Sequence, residues 1–258
     1  QDILIMNEDS LDKFTGFAYQ LNVGNPLFLN NIILFYDKEY KPELKEEWYV
    51  QLDTNPAIKP QIVSNYITNK EQIFIQDKNN KLYLFSTNGE KIWEKQITEK
   101  ILGKVSQIDY YKNKKLQLLF NTKNKIYIID RLGRLLENYP KDLPEIASNG
   151  HALFDYNNKK DYRIMIATND GNVINLDKKG KKVKGWNFTK NKSIILEELQ
   201  HFIVENKDYI LCPSNNNIAL LARNGKTRVN YNTDANFNSQ KLQIDKKGTV
   251  YGITSEGM

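Results

Sequence analysis

The sequence predicts an all-β fold, a β-propeller of five to six four-stranded blades, and three observations predict it. A nine-residue pattern recurs five times, two of its positions are apolar in every copy, and every copy ends on a glycine. The copies are KLYLFSTNG (81–89), KIYIIDRLG (125–133), NVINLDKKG (172–180), NIALLARNG (217–225) and TVYGITSEG (249–257). Seven positions before the glycine stand Leu82, Ile126, Val173, Ile218 and Val250; four before it stand Phe85, Ile129, Leu176, Leu221 and Ile253. The glycines Gly89, Gly133, Gly180, Gly225 and Gly257 lie 44, 47, 45 and 32 residues apart. Three of these intervals match the roughly 40–50 residues of a four-stranded blade. An open, strand-rich solenoid is the structural alternative.

In chain order, residues 1–57 fit the repeat least. FTGFAYQL (14–21), LFLNNIILFYD (27–37) and EEWYVQL (46–52) read as strands by their β-branched and aromatic content. They are expected to form one irregular first blade. The regular repeats follow over 58–258, in a single domain covering 1–258. Each copy has an upstream partner strand: EQIFIQ (71–76), LQLLFNT (116–122), YRIMIAT (162–168), YILCPS (209–214) and KLQID (241–245). The short links between partner and copy, rich in Asn, Asp, Lys and Gly, are hairpin signals, because Asn and Gly adopt positive φ at low cost. Third strands are predicted after the glycine in EKIWEKQI (90–97), RLLENY (134–139), KKVKGWNF (181–188) and KTRVNY (226–231). A fourth, weaker strand candidate lies before each partner, as in QIVSNYI (61–67), KVSQIDYY (104–111) and HALFDYN (151–157). The last copy has no strand after Gly257, and residues 16–21 are available to fill that gap and close the ring, which removes exposed edges. The chain begins with Gln and is expected to be a processed product or part of a longer protein.

The net charge of +6 invites a polyanion partner, but only five of the 37 basic residues are Arg, the side chain suited to bidentate phosphate and base contacts. Lysine enriched together with Asn and Ile reads as a compositional bias, and the run at 178–182 as a solvated turn. No nucleic-acid partner is expected. The single Cys212 excludes an intrachain disulfide and, within a strand-like run, reads as a buried inert thiol. No apolar stretch reaches 18 residues, so a membrane is expected only indirectly, through a partner or an amino-terminal anchor outside this sequence.

Few residues present themselves for chemistry. Asp155, Asn157 and Asp161 have part of the spacing of a calcium loop, but Lys159 and Lys160 fall inside it, and an Asx-turn explains the pattern better. His151 and His201 have no Cys, His or carboxylate at metal-ligand spacing. No phosphate loop, nucleophile elbow or zinc-protease motif occurs. The expectation is a chain without catalytic residues, metal or organic cofactor.

KLYLFSTNGEKIW (81–93) is similar to the repeat of pyrroloquinoline-quinone-type propellers, which is shared by outer-membrane assembly lipoproteins of the BamB type and is broadly WD40-like. Tyr83, Gly89 and Trp93 match the repeat fully. Tyr127 and Gly133 lack the Trp, Trp186 sits six residues past Gly180, and the copy ending at Gly225 has no aromatic. From residue 58 onward, stretches such as VSQIDYYKNKKLQLLFNTKN (105–124) followed by IDRLG resemble the carboxy-terminal propeller region of large uncharacterised envelope proteins of Bacteroidota. The resemblance implies that Trp93 packs between blades and bonds through its indole N–H. It also implies an envelope location and a scaffolding role that binds a protein partner. A quinone-dependent dehydrogenase would need a calcium site, adjacent cysteines and more blades, and the single cysteine argues against it. The alternative function is a glycan or small-molecule binder or hydrolase using carboxylates in the propeller funnel.

Overall fold

The computed structural model describes residues 14–24, 27–36, 48–190, 193–195, 197–214, 217–232, 242–245 and 247–252. The chain divides into two compact units, residues 1–49 and 50–258. The first unit contains one long antiparallel hairpin, β1 (Phe14–Gly24) and β2 (Leu27–Tyr36), in register from Gly24 opposite Leu27 to Phe14 opposite Tyr36, with a shift between Phe14 and Gly16. These are two of the three strands read at this end of the sequence. The third, 46–52, is not a strand over its described residues 48–52.

The second unit is a succession of antiparallel meanders. The first sheet is β3 (Gln61–Ser64), β4 (Glu71–Gln76), β5 (Lys81–Ser86) and β6 (Lys91–Gln96). The second is β7 (Ile101–Ile108), β8 (Gln117–Thr122), β9 (Lys125–Ile129) and the two-residue β10 (Lys141–Asp142). The third holds only β11 (Ala152–Phe154), β12 (Arg163–Ala167) and β13 (Val173–Asp177). The fourth is β14 (Gln200–Val204), β15 (Lys207–Ser214), β16 (Asn217–Leu221) and β17 (Thr227–Asn232). A short pair, β18 (Gln243–Ile244) and β19 (Val250–Tyr251), follows. Neighbours in sequence are neighbours in each sheet, and the described residues contain no helix.

The repeated glycine closes the same turn in each of the four larger sheets. Gly89, Gly133, Gly180 and Gly225 have φ of 72–85°, and each N–H donates to the carbonyl three residues earlier at 2.9–3.1 Å. Gly257 lies outside the described residues.

Two predicted third strands are not strands. RLLENY and KKVKGWNF each make a single narrow bridge, Leu135 to Ile129 and Lys182 to Leu176, and then turn away. The physical cause is local. Asn138 at φ 64° and Gly185 at φ 78° occupy the left-handed region, which bends an extended chain. Tyr139 N–H then donates to Leu136, and Trp186 N–H to Val183.

Alternating side chains of the middle strands bury both faces of each sheet, which is why those strands read as nearly continuous apolar runs. Leu82 and Leu84 of the first sheet pack with Tyr127 and Ile129 of the second. Ile126 and Ile128 point the other way and pack with Ile174 and Leu176 of the third. Val173 continues the series against Ala219 and Leu221 of the fourth. Full burial of each such side chain contributes about 1.5–3 kcal/mol, so the sheet-to-sheet seams dominate the stability of this unit.

Two buried amides clamp the first seams together in the same way. Gln76 Oε1 accepts the N–H of Ile101 at 2.8 Å while its Nε2 donates to the Glu99 carbonyl at 3.0 Å. Asn121 Oδ1 accepts the N–H of His151 at 2.7 Å while its Nδ2 donates to the Asn149 carbonyl at 3.2 Å. Each amide at the end of a second strand thus holds residues i and i−2 where the next sheet begins. Near the second of these junctions the backbone crowds: a Cβ on Gly103 would lie 2.7 Å from Gly150 Cα and 2.1 Å from a Glu198 carboxylate oxygen. Only glycine permits that approach.

Candidate functional site

The aromatic residues singled out in the sequence lie at the seams. Trp93, on β6, donates from its indole N–H to the Arg131 carbonyl at 3.0 Å, and its ring covers Gly133. Tyr139, which the sequence reading did not single out, makes the corresponding contact one sheet later: its hydroxyl donates to the Lys178 carbonyl at 2.7 Å, beside Gly180. Both acceptors stand two residues before the glycine of the next sheet. Trp186 covers Gly225, while its indole N–H donates inward to the Val173 carbonyl at 2.7 Å. Tyr139 and Trp186 are each six residues past their own glycine, a shared position that was available in the sequence. Tyr83 braces its hairpin, donating its hydroxyl to Asp77 at 3.0 Å, and burial pushes that phenol up to about 12. Tyr127 is buried and stacks on Phe120 at 5.1 Å.

The candidate chemical residues are engaged structurally. His151 is fully buried; its Nδ1 lies 3.3 Å from Asn121 Oδ1 and its Nε2 lies 2.9 Å from Ser106 Oγ. An amide oxygen can only accept, so Nδ1 carries the proton and Nε2 accepts from the serine. Burial, helped by the charge of Lys104, lowers its pKa to about 3 and keeps the ring neutral. His201 Nε2 is 2.7 Å from Asp208, whose other oxygen binds Arg223 at 2.7 Å. Burial pushes the Cys212 thiol up to about 12.

Asp161 binds Lys112 at 2.6 Å and Lys160 binds Asp109, so the loops after β7 and β11 are tied by two reciprocal ion pairs. Asp155 accepts the Lys160 N–H at 2.9 Å. Of the three residues with part of a calcium-loop spacing, Asp161 meets the Lys112 ammonium, while Asp155 and Asn157 accept the backbone N–H groups of Lys160 and Lys159 within their own turn. Among the described residues no three His, Cys, Asp or Glu side chains cluster closely enough to hold a metal.

What the sequence did not disclose is how charge is distributed. Links between the first and second strands of each sheet come out on the same side as the glycine turns. Lys178 of the third turn, for example, donates to the Tyr110 carbonyl of the second sheet's link at 2.6 Å. Burial lowers the Lys178 pKa, and its Nζ lies 5.4 Å from the Tyr110 ring centre. The other lysines of the 178–182 run stay at the surface. Lys114, Lys115, Lys159, Lys179, Lys181 and Lys182 on this face have no ion-pair partner among the described residues. Two depressions open here. One of about 350 Å³ is bordered by Tyr66, Tyr111, Leu132 and Arg131, with Tyr111 57% and Leu132 44% exposed. A larger one, of about 820 Å³, lies between the third and fourth sheets. On the opposite side lysines and carboxylates pair, as in Lys81 with Asp53, Lys125 with Asp142 and Lys190 with Asp170.

No family model and no curated protein matches the chain. Solved structures do. BBS1N, solved in complex with ARL6DN, superposes with a TM-score of 0.55 at 15% identity, over 80% of this chain and 64% of that one. The Dos1 propeller gives 0.53 at 14% identity, over 78% and 56%. BamB from Moraxella catarrhalis gives 0.48 at 14% identity, over 75% and 57%, and only the first two bear on the fold. The chain thus spans less than two thirds of the BBS1N and Dos1 chains it matches. With its face-to-face antiparallel meanders, the chain has an all-β propeller fold.

Proposed function

We propose that this propeller is a non-enzymatic protein-binding scaffold of the bacterial cell envelope, and that its recognition surface is the face of interstrand links and glycine turns. The observation that carries the reading is the exposed pair Tyr111 and Leu132 at the smaller depression, on sheets locked to each other by buried clamps. Exposed aromatic and aliphatic side chains beside unpaired cations on a rigid face are the makings of an interface core and rim. Loops fixed by a rigid scaffold are where recognition resides. That BBS1N, similar in fold, was solved bound to ARL6DN is consistent with such use of the fold. The envelope location rests on the sequence resemblance alone.

The test is quantitative co-purification from fractionated cells, comparing the wild type with Tyr111→Ser combined with Leu132→Ser. An envelope-derived protein retained by the wild type and lost in the variant supports the reading. Equal recovery with both proteins, or residence in the cytoplasm, contradicts it.

A further inference from the structure

The repeat register places one residue against its type. Five positions before the glycine, the first, second and fourth sheets hold Leu84, Ile128 and Leu220, and the third holds Asn175. Leu84 and Ile128 are core residues at the seam to the next sheet. Asn175 occupies the same position at the seam to the fourth sheet, is only 3% exposed, and its Oδ1 has no hydrogen-bond partner among the described residues. A buried polar atom left unpaired costs about 1–3 kcal/mol, and leucine there would avoid that cost. Such a conflict between local residue and repeat position is expected where function overrides stability.

Asn175 borders the 820 Å³ cleft. The Tyr156 hydroxyl, also buried and without a hydrogen-bond partner among the described residues, borders it as well. Its ring is covered by the Arg223 guanidinium at 4.6 Å, which Asp208 holds in place. At the rim stand Lys181, Lys182 and Lys184, exposed and without ion-pair partners among the described residues. The two carboxylates in the lining are already used. Asp161 binds Lys112, and Asp177 accepts the N–H groups of Lys179 and Lys181 at 2.8 and 2.9 Å. The cleft therefore offers one buried acceptor, one buried hydroxyl donor and an uncompensated cationic rim.

We propose that the cleft binds an acidic peptide segment, with Asn175 accepting a backbone N–H and the rim lysines pairing with its carboxylates. This inference rests on the protein-binding reading and names the chemistry of the partner. A peptide is favoured because its backbone carries an N–H donor for the buried Asn175 acceptor, and acidic side chains complement the charge of the rim lysines. The edge of the third sheet is itself closed, since the Val183 N–H donates to the Asn175 carbonyl at 2.9 Å and the Trp186 indole N–H to the Val173 carbonyl at 2.7 Å, so the segment lies in the cleft and adds no strand.

The experiment titrates fluorescein-labelled hexaglutamate into the purified chain, with hexaglutamine and trigalacturonate as comparisons. Expected is saturable, salt-sensitive binding of hexaglutamate and none of hexaglutamine. Asn175→Leu, which installs the residue of the first and fourth sheets, should weaken binding by about tenfold, the equivalent of one lost hydrogen bond to a buried group. Its unfolding midpoint should not fall. Lys181→Gln with Lys182→Gln, a surface change that leaves the core intact, should weaken binding and flatten its salt dependence. Absence of hexaglutamate binding, unchanged affinity in Asn175→Leu, or binding of trigalacturonate alone would overturn the inference. If any of these occurs while co-purification still depends on Tyr111 and Leu132, the cleft proposal falls and the protein-binding reading stands.

Discussion

The ring of Trp93 fills the space that a side chain at Gly133 would need. A Cβ built on Gly133 would lie 2.9–3.1 Å from three atoms of the indole, and the indole N–H reaches the Arg131 carbonyl two residues earlier. Gly133 also has φ of 77°, so the turn conformation and the packing demand the same residue. The outer strand of one sheet is thereby anchored on the turn of the next. Trp186 likewise covers Gly225, while at Gly180 the Lys141 side chain fills the space and Tyr139 supplies only the hydrogen bond, to the Lys178 carbonyl.

Trp93→Ala should cost about 3–5 kcal/mol, because a large buried ring and its hydrogen bond are lost together. Trp93→Phe keeps a ring and loses the donor, and should cost less. Urea unfolding followed by circular dichroism measures both. An unchanged midpoint for Trp93→Ala would show that the ring does not hold the first and second sheets together.

The amide clamps make a second prediction. Gln76→Leu and Asn121→Leu keep the volume and leave the N–H of Ile101 or of His151 buried without its acceptor. Each should cost about 1–3 kcal/mol. Hydrogen exchange gives the local test, since the amide of Ile101 should lose protection in Gln76→Leu more than amides of the fourth sheet do. Uniform protection across the chain would argue that the clamp contributes nothing local.

Stability should also respond to pH through His151. Its pKa is depressed by burial from the usual 6.5 to about 3, so between these values the unfolded chain binds a proton that the folded chain excludes. The contribution is fully present above pH 6.5 and is lost as pH falls toward 3. The slope attributable to this one group is at most roughly 1.4 kcal/mol per pH unit. His151→Gln should flatten the dependence of unfolding free energy on pH between 4 and 6 relative to the wild type. Parallel curves for the two proteins would mean that the ring is protonated in the fold without cost.

The periodic parts of the fold were legible because hairpins write themselves locally. The apolar columns at Leu82 and Phe85, and the turn ended by Gly89, follow from strand alternation and positive φ, both of which leave marks at fixed spacing. Outer strands were less legible. RLLENY and KKVKGWNF contain β-forming residues, but Asn138 and Gly185 bend the chain after a single bridge, and which of several Asn or Gly residues takes positive φ depends on tertiary packing. Tyr139 was visible in the shared sixth position after the glycine, yet its role as the counterpart of Trp93 appears only when sheets are set side by side. The lysines show the limit most plainly. Composition counts them, and only the fold reveals that Lys114, Lys159 and Lys181 gather on one side while Lys81, Lys125 and Lys190 are paired on the other.

That one-sided charge bears on the last prediction, which concerns nucleic acid. A phosphate-tracking surface needs guanidinium groups or dense free cations, and the arginines here are largely occupied. Arg134 binds Asp130 at 2.6 Å and Arg223 binds Asp208. Arg163 donates to the carbonyls of Asp161 and Tyr162, and Arg228 lies 5.7 Å from the Tyr209 ring centre. Lys112 and Lys160 on the basic face are likewise held by carboxylates. The free lysines that remain are hydrated point charges, which attract polyanions without bidentate geometry. Affinity for DNA or RNA at physiological salt should therefore be no tighter than the ordinary non-specific range of about 10⁻⁴–10⁻⁶ M. The measurement is a fluorescence-anisotropy titration with single- and double-stranded probes across salt. Sub-micromolar, sequence-tolerant binding that weakens steeply with salt would show that the lysine face tracks phosphates and that its partner is a nucleic acid rather than a protein.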